Sequence, residues 1–402
     1  MKVAGAVAEF DPFHRGHAYL LEKARSAGAT HIAVVMSGAA VQRGEIAVCT
    51  KQERAEFAIA HGADLVAELP APYSCAMARY FADGAVRILG QLGIDALCFG
   101  SETDSAAPMI EAARAMDSLD DSEAVRKRLA GGMSYPAALQ AAVRELCGED
   151  TAKVLGTPNS TLGVEYVRAL GRGGISAEII PVKRVGAGHD KKSTDCTNKV
   201  CANNEVCAAN GVFAPSGSEL RELLAAGTDI AFGVPQGCVP RTLFDPRLAD
   251  DILYYRLLTA PRSELLELPE VNEPVADRIL KIRRDPPDSL TDFLTEVKTA
   301  NITLARLRRS ALHLVLGVTR ADFFEPPYVR ILAFNKRGTE ILRRAKHSVP
   351  ISASLRGLED SSRQAARIAA VENSAVRLQQ ICRVSPQPRF ENEYTRKIVI
   401  QK

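Results

Sequence analysis

The sequence predicts an α/β fold: a Rossmann-like domain with a mostly parallel sheet over residues 1–239, followed by a mainly α-helical, basic C-terminal region over 240–402. Three observations predict it. Short apolar runs alternate with amphipathic stretches through the first 182 residues, the pattern that builds parallel sheets with right-handed crossovers. From about Pro240 the apolar spacing becomes helical. The charge divides as well: residues 301–402 carry 19 Lys and Arg against 8 Asp and Glu, leaving 32 against 40 in residues 1–300.

The first strand and its turn organise the rest: Val3-Ala4-Gly5-Ala6-Val7-Ala8-Glu9-Phe10-Asp11-Pro12-Phe13-His14-Arg15-Gly16-His17. The apolar run reads as a buried strand, and Asp11-Pro12 breaks it into a turn. From His17 the spacing is helical through Ala18, Tyr19, Leu20, Leu21 and Ala24, with Gly28 as the stop. Two histidines thus flank a glycine at a helix N-terminus directly after a strand. Free backbone N–H groups and the helix dipole make such a place an anion site. Gly16 lets a nucleotide approach the backbone. His14 and His17 can donate hydrogen bonds to a phosphate whose charge grows in a transition state.

The alternation continues in order. His31–Met36 reads as a strand, Lys51–Ala60 as a helix and Asp64–Pro70 as a strand. Residues 76–91 read as a helix and Asp95–Gly100 as a strand. Ligands of such sheets sit at the carboxyl ends of strands, where His14, His17, Gln42, Arg43, Pro70 and Gly100 fall. Residues 103–150 read as a charged helical insertion. A helix follows from Pro158-Asn159, with Ser160 or Thr161 as its cap, and Glu178–Val182 is the next strand, followed by Lys183 and Arg184. Ser216-Gly217-Ser218-Glu219-Leu220-Arg221 has the form of a capping box and opens a second helix N-terminus. The hydroxyls of Ser216 and Ser218, free N–H groups and Arg221 suit β- and γ-phosphates.

Between these segments, Cys196, Cys201 and Cys207 follow His189. Their spacing lacks the tight pairs of structural zinc, so a loop with reduced thiols is expected and no metal site is assigned. Nine cysteines and no basic leader or 18-residue apolar run predict a cytoplasmic chain without a membrane span. Beyond 240, Ser289-Leu290-Thr291-Asp292 opens an amphipathic helix. Ile302–Leu316 is another, closed by Gly317. A basic region beside an acidic body suits nucleic acid. The candidates for that contact are Arg306, Arg308, Arg309, Lys336, Arg337, Arg343 and Arg344.

Taken as a set, Glu9 to His17, Gln42-Arg43-Gly44, Gly62 to Pro70, Phe99-Gly100-Ser101-Glu102, Pro158-Asn159, Arg184 with His189-Asp190, and Ser216 to Arg221 resemble the bacterial tRNA(Met) cytidine acetate ligase family. That family is a HIGH-type nucleotidyltransferase group. Leu307-Arg308-Arg309 and Leu332-Ala333-Phe334 match more loosely. The resemblance implies that ATP and acetate form acetyl-adenylate. The acetyl group then passes to N4 of the wobble cytidine of elongator tRNA(Met), giving N4-acetylcytidine. It implies ATP binding by Val7–Leu20 with Gly100, Asn159 and Arg184, catalysis by His14, His17 and Arg184, and Mg²⁺ accompanying ATP. No obligate protein partner is implied. Asp11 and Arg15 stand where the family usually has Asn; a carboxylate beside phosphates is expected to be offset by Arg15 or Mg²⁺. The alternative is an adenylyltransferase of cofactor synthesis acting on a nucleotide or phosphopantetheine-like acceptor, which leaves the basic C-terminal region without a task.

Overall fold

The computed structural model describes residues 1–120, 122–184, 215–299, 301–386 and 390–401; His189, Cys196, Cys201 and Cys207 lie outside them. The main sheet has eight strands: β1 (Val3–Ala8), β2 (His31–Ser37), β3 (Leu65–Leu69), β4 (Ala96–Ser101), β5 (Glu178–Lys183), β6 (Val329–Phe334), β7 (Ile351–Ser352) and β8 (Val399–Ile400). Their order is β8-β6-β3-β2-β1-β4-β5, with β7 also beside β6. The first five are parallel to one another.

The parallel strands are apolar almost throughout because both faces are covered. Val3, Val7, Ala33, Val35, Leu97 and Phe99 point into one core, against helices that include α3 (Ala78–Gln91) and α4 (Pro158–Arg172). Ala4, Ala6, Ile32, Val34, Met36 and Cys98 point into the other. There they meet α1 (Arg15–Ser26), α2 (Lys51–Ala60) and α5 (Gly217–Ala225). A third core joins the helices between 250 and 297 to α6 (Leu304–Leu316) and α8 (Arg363–Ile381). One further helix, α7 (Lys336–Arg344), packs near the amino ends of β2 and β3.

Strand β6 went unread in the sequence. It runs antiparallel to β3, Leu65 opposite Phe334, and covers an edge that would otherwise expose unpaired backbone groups. Five apolar residues and Arg330, set among basic helices, carry no period that separates a strand from a buried helical turn. Helix α4 also differs in its cap: Thr157 occupies the N-cap position without its side chain bonding the helix backbone, and Pro158 is the first helical residue. Proline fits there because its missing N–H would be unpaired anyway.

A buried ionic cluster ties the C-terminal half to the sheet. Lys51 of α2 bonds Glu68 of β3, and lies 2.9 Å from Glu372 of α8 and 2.7 Å from Glu393. Arg330 of β6 bonds Glu68 at 3.2 Å and Glu393 at 2.6 Å. All five side chains are almost fully buried.

Candidate active site

Two helix N-termini meet beyond the carboxyl ends of β1 and β4. His14 is the N-cap of α1: its Nδ1 accepts from the Gly16 N–H at 3.1 Å, while His17 Nδ1 accepts from the His14 N–H at 3.2 Å. The helix therefore begins at Arg15, two residues nearer the strand than the apolar spacing alone predicts. Each imidazole spends Nδ1 as an acceptor, so in its neutral form each carries its proton on Nε2. The rings stack at 3.6 Å between centroids. Gly16 is needed chiefly for that fold: a Cβ there would lie 2.9 Å from His14 Cε1.

Phe10 makes the turn possible. Its φ of 52° is in the left-handed region, a conformation costing a bulky residue about 1–3 kcal/mol. Complete burial and edge contacts to Phe13 at 4.9 Å and His17 at 4.8 Å offset it. Val7, Pro12, Phe13 and Leu20 are buried too, so those residues shape the loop from beneath rather than line it.

The second N-terminus belongs to α5. Ser216 caps it through the Glu219 N–H, and Glu219 returns a bond to the Ser216 N–H at 2.7 Å. Arg221 donates to the Asp11 carbonyl at 2.7 Å and to Ser218 Oγ at 2.9 Å. A Cβ on Gly217 would stand 3.2 Å from Arg221 Nη1 and 3.7 Å from His14 Nε2. Arg184 completes the rim: its N–H bonds the Ser101 carbonyl at 2.9 Å, and its Cγ lies 3.8 Å from where a Gly100 Cβ would be. Among the described residues no carboxylate forms an ion pair with Arg184 or Arg221. Burial, with the Arg184 and Arg221 charges behind it, holds His14 down at about 3 and pushes His17 well below the usual range. Both rings are therefore neutral donors at physiological pH.

Asp11 does not face this space as an open charge. Its carboxylate is buried, bonded to Arg43 at 2.6 Å and to the Val48 N–H at 2.8 Å. Arg43 also holds Glu9 and Glu45. Arg15 instead donates to the Phe232 carbonyl at 3.1 Å. The expected Asp11–Arg15 compensation is thus corrected: Arg43 supplies it, from the hairpin formed by Ala40–Val41 and Glu45–Ile46. With Glu9 and Asp11 occupied in this way, they offer no free carboxylate pair for a protein-held metal.

Two supports have no role assigned from the sequence, although Glu102 falls within one of the stretches that carry the resemblance. Arg54 of α2 is fully buried and bonds the carbonyls of Glu9 at 2.6 Å and Ser37 at 3.0 Å, fixing the ends of β1 and β2. Glu102 occupies the N-terminus of α4, bonding Thr157, Asn159 and Ser160. Both sit in ordinary helical or polar contexts, and only the three-dimensional arrangement distinguishes them.

Asn159 lines a pocket of about 370 Å³ together with Gln42, Ala78 and Thr161. A larger cavity of about 440 Å³ lies between Gln91, Pro326 and Ser361, lined by none of the predicted site residues. The basic candidates divide between two places. Arg306 bonds the Glu270 carbonyl, Arg308 pairs with Asp250, and Arg309 grips Glu270 and reaches the Gln42 carbonyl. Arg308 and Arg309 stand beside the hairpin, and Arg306 precedes them on the same helix. Lys336 and Arg343 are exposed on α7, while Arg337 pairs with Asp64 and Arg344 with Asp95 at the opposite end of the sheet. Among the described residues, no helix is long and apolar enough to cross a membrane.

A family model described as HIGH Nucleotidyl Transferase matches residues 1–393. The tRNA(Met) cytidine acetate ligase of Streptococcus agalactiae serotype Ia is 33% identical over 87% of this chain and 88% of its own. That of Bacillus subtilis is 32% identical over 88% of both. Among solved structures, Thermotoga maritima TmcAL bound with alpha-thio ATP aligns with a TM-score of 0.81 at 27% identity, covering 95% of each chain. Its apo form aligns at 0.85 with 26% identity, over 100% of this chain and 99% of that one. The chain belongs to the HIGH nucleotidyltransferase family and, within it, to the tRNA(Met) cytidine acetate ligases.

Proposed function

We propose that the protein is an ATP-dependent ligase that acetylates N4 of the wobble cytidine in elongator tRNA(Met), through acetyl-adenylate. The observation carrying this reading is the meeting of two helix N-termini, two neutral Nε2–H donors and two arginines that have no carboxylate partner among the described residues. Such a meeting stabilises negative charge on a polyphosphate.

In the first step an acetate oxygen attacks the α-phosphorus of ATP in line, and pyrophosphate leaves. His14, His17 and Arg184 neutralise charge developing on the α-phosphate. Ser216, Ser218 and Arg221 hold the β- and γ-phosphates. Gly100 supports the same placement, because the protein leaves ordinary room for a Cβ there and ligand approach accounts for a glycine. Mg²⁺ arrives with the nucleotide as part of the substrate. In the second step the cytidine N4 amine attacks the acyl carbon, AMP leaves, and N4 loses a proton. No covalent enzyme intermediate is needed, and positioning supplies much of the rate.

Residues 1–239 carry this chemistry, and 240–402 hold the tRNA in a cytoplasmic enzyme. A wobble base is single-stranded and can be splayed into a pocket, while lysines and arginines hold the backbone. Arg306, Arg308 and Arg309 serve near the site, and Lys336, Arg337, Arg343 and Arg344 at a distance. The test is incubation of tRNA(Met) with ATP, acetate and protein, followed by nucleoside mass analysis. N4-acetylcytidine at the wobble position is expected. Transfer of AMP to a small nucleotide without tRNA acetylation would favour the cofactor adenylyltransferase.

A further inference from the structure

Glu102 follows β4 and stands against the N-terminus of α4. Its Oε2 accepts from Thr157 Oγ1 at 2.9 Å, Ser160 N at 2.9 Å and Ser160 Oγ at 2.6 Å. Its Oε1 accepts from Asn159 Nδ2 at 2.7 Å. An ionised carboxylate only accepts hydrogen bonds, so it dictates which end of the Asn159 amide it meets. The bonds that converge on it, at a helix N-terminus, favour the ionised form. Burial opposes that form, but the bonds from Asn159, Ser160 and Thr157 outweigh it and hold the carboxyl below its ordinary range. Nδ2 is thereby committed. Among the described residues nothing donates to Asn159 Oδ1, and Asn159 lines the 370 Å³ pocket.

We infer that Glu102 is a positioning residue for nucleoside recognition: by taking Nδ2 of Asn159 it fixes Oδ1 as an acceptor toward the pocket, selecting a hydrogen-bond donor on the nucleoside half of ATP. The donor is either the exocyclic amino group or a ribose hydroxyl. This rests on the reading of the site as an ATP site. A nucleotide lacking the donor leaves Oδ1 desolvated and unpaired, which is the arrangement that discriminates most sharply between analogues.

The test is calorimetric titration of the full chain with ATP, 2′-deoxy-ATP, 3′-deoxy-ATP and inosine triphosphate. Wild type, Glu102→Gln and Asn159→Ala are compared. In wild type one analogue binds at least about tenfold more weakly than ATP, the effect of one lost hydrogen bond, and which analogue it is identifies the donor. In Glu102→Gln the new amide lets Asn159 turn over, and the preference collapses to within about twofold. Asn159→Ala keeps Glu102 on Ser160, so α4 remains capped, and it loses the same preference. A helix cap alone would lower thermal stability in Glu102→Gln while leaving the analogue preference intact; that result overturns the inference. So does ATP binding by wild type with no analogue discriminated, or a preference retained in Asn159→Ala. Absence of any ATP binding by wild type would overturn the reading of the site itself.

Discussion

Two regions of this molecule bury charge beside the same sheet and use it in opposite ways. In the cluster of Lys51, Glu68, Arg330, Glu372 and Glu393, every charge has an opposite partner and all five are sealed from solvent. At the proposed nucleotide site, Arg221 bonds only a carbonyl and a hydroxyl among the described residues, and the half-buried histidines have spent their acceptors. Sealed charge that is paired joins two halves of a fold. Cationic groups left without carboxylates are waiting for a ligand's charge. The two regions differ in their partners as well as in burial: the cluster is closed to solvent, and His14, His17 and Arg221 are only half-buried.

The largest effect should come from breaking the sealed region. Lys51→Met leaves Glu372 without its cation and Glu68 and Glu393 dependent on Arg330, with Arg396 also on Glu393, and removing one partner of a buried pair costs about 3–5 kcal/mol. Denaturant unfolding reads this directly; a loss below about 1 kcal/mol would mean the cluster is not a structural joint. Arg221→Gln should do the reverse, raising the KM for ATP about tenfold to a hundredfold through one lost charge-assisted bond.

Acid sharpens the contrast because the two regions titrate with opposite sign. Burial, with Glu68 beside it, raises Glu372 to about 7 against the pull of Lys51. Its protonated form is therefore preferred in the fold, so its contribution is complete below the unfolded value of about 4.5 and is lost as pH rises through 7. His14 is lowered to about 3. Its contribution is present above the unfolded value of about 6.5 and is lost as pH falls from there toward 3. Between pH 7.5 and 5, wild-type stability should rise relative to Glu372→Gln and fall relative to His14→Asn. Unfolding curves at the two pH values check both signs.

The smallest effect concerns Asp11. Asp11→Asn keeps an acceptor for the Val48 N–H but removes one carboxylate from Arg43, and ATP should bind about two- to fivefold tighter as local negative charge falls. Arg15→Asn should leave that affinity unchanged within about twofold, since Arg15 bonds Phe232. Isothermal titration distinguishes this from an Asp11–Arg15 couple, in which only the double variant would restore wild-type affinity.

Much of this arrangement was legible in the sequence because its signals are local. The parallel strands announced themselves as apolar runs, Lys51–Ala60 by its spacing, the helix N-terminus at Ser216 by its capping box, and the one near His14 by the histidines and glycine that follow a strand and Asp11-Pro12. What stayed hidden depends on partners distant in sequence. Arg43 meets Asp11 across a hairpin of two-residue strands. Glu102 meets Asn159 from 57 positions away. Strand β6 pairs with β3 from more than 250 positions away. The charge count in 301–402 also misled in one respect. Several of its arginines are bound to Glu270, Asp250, Asp64 and Asp95, so composition overstates how much positive surface is free for nucleic acid.

The central claim is that the neutral histidine pair and its helix N-terminus activate a carboxylic acid with ATP. Acetate-dependent ATP–pyrophosphate exchange, in wild type and His17→Ala, tests it most directly. The account predicts exchange in wild type that requires acetate, and a loss of about 10²–10³-fold in His17→Ala, the cost of removing one transition-state donor. Exchange that persists in the variant, or that never appears with acetate in wild type, would contradict it.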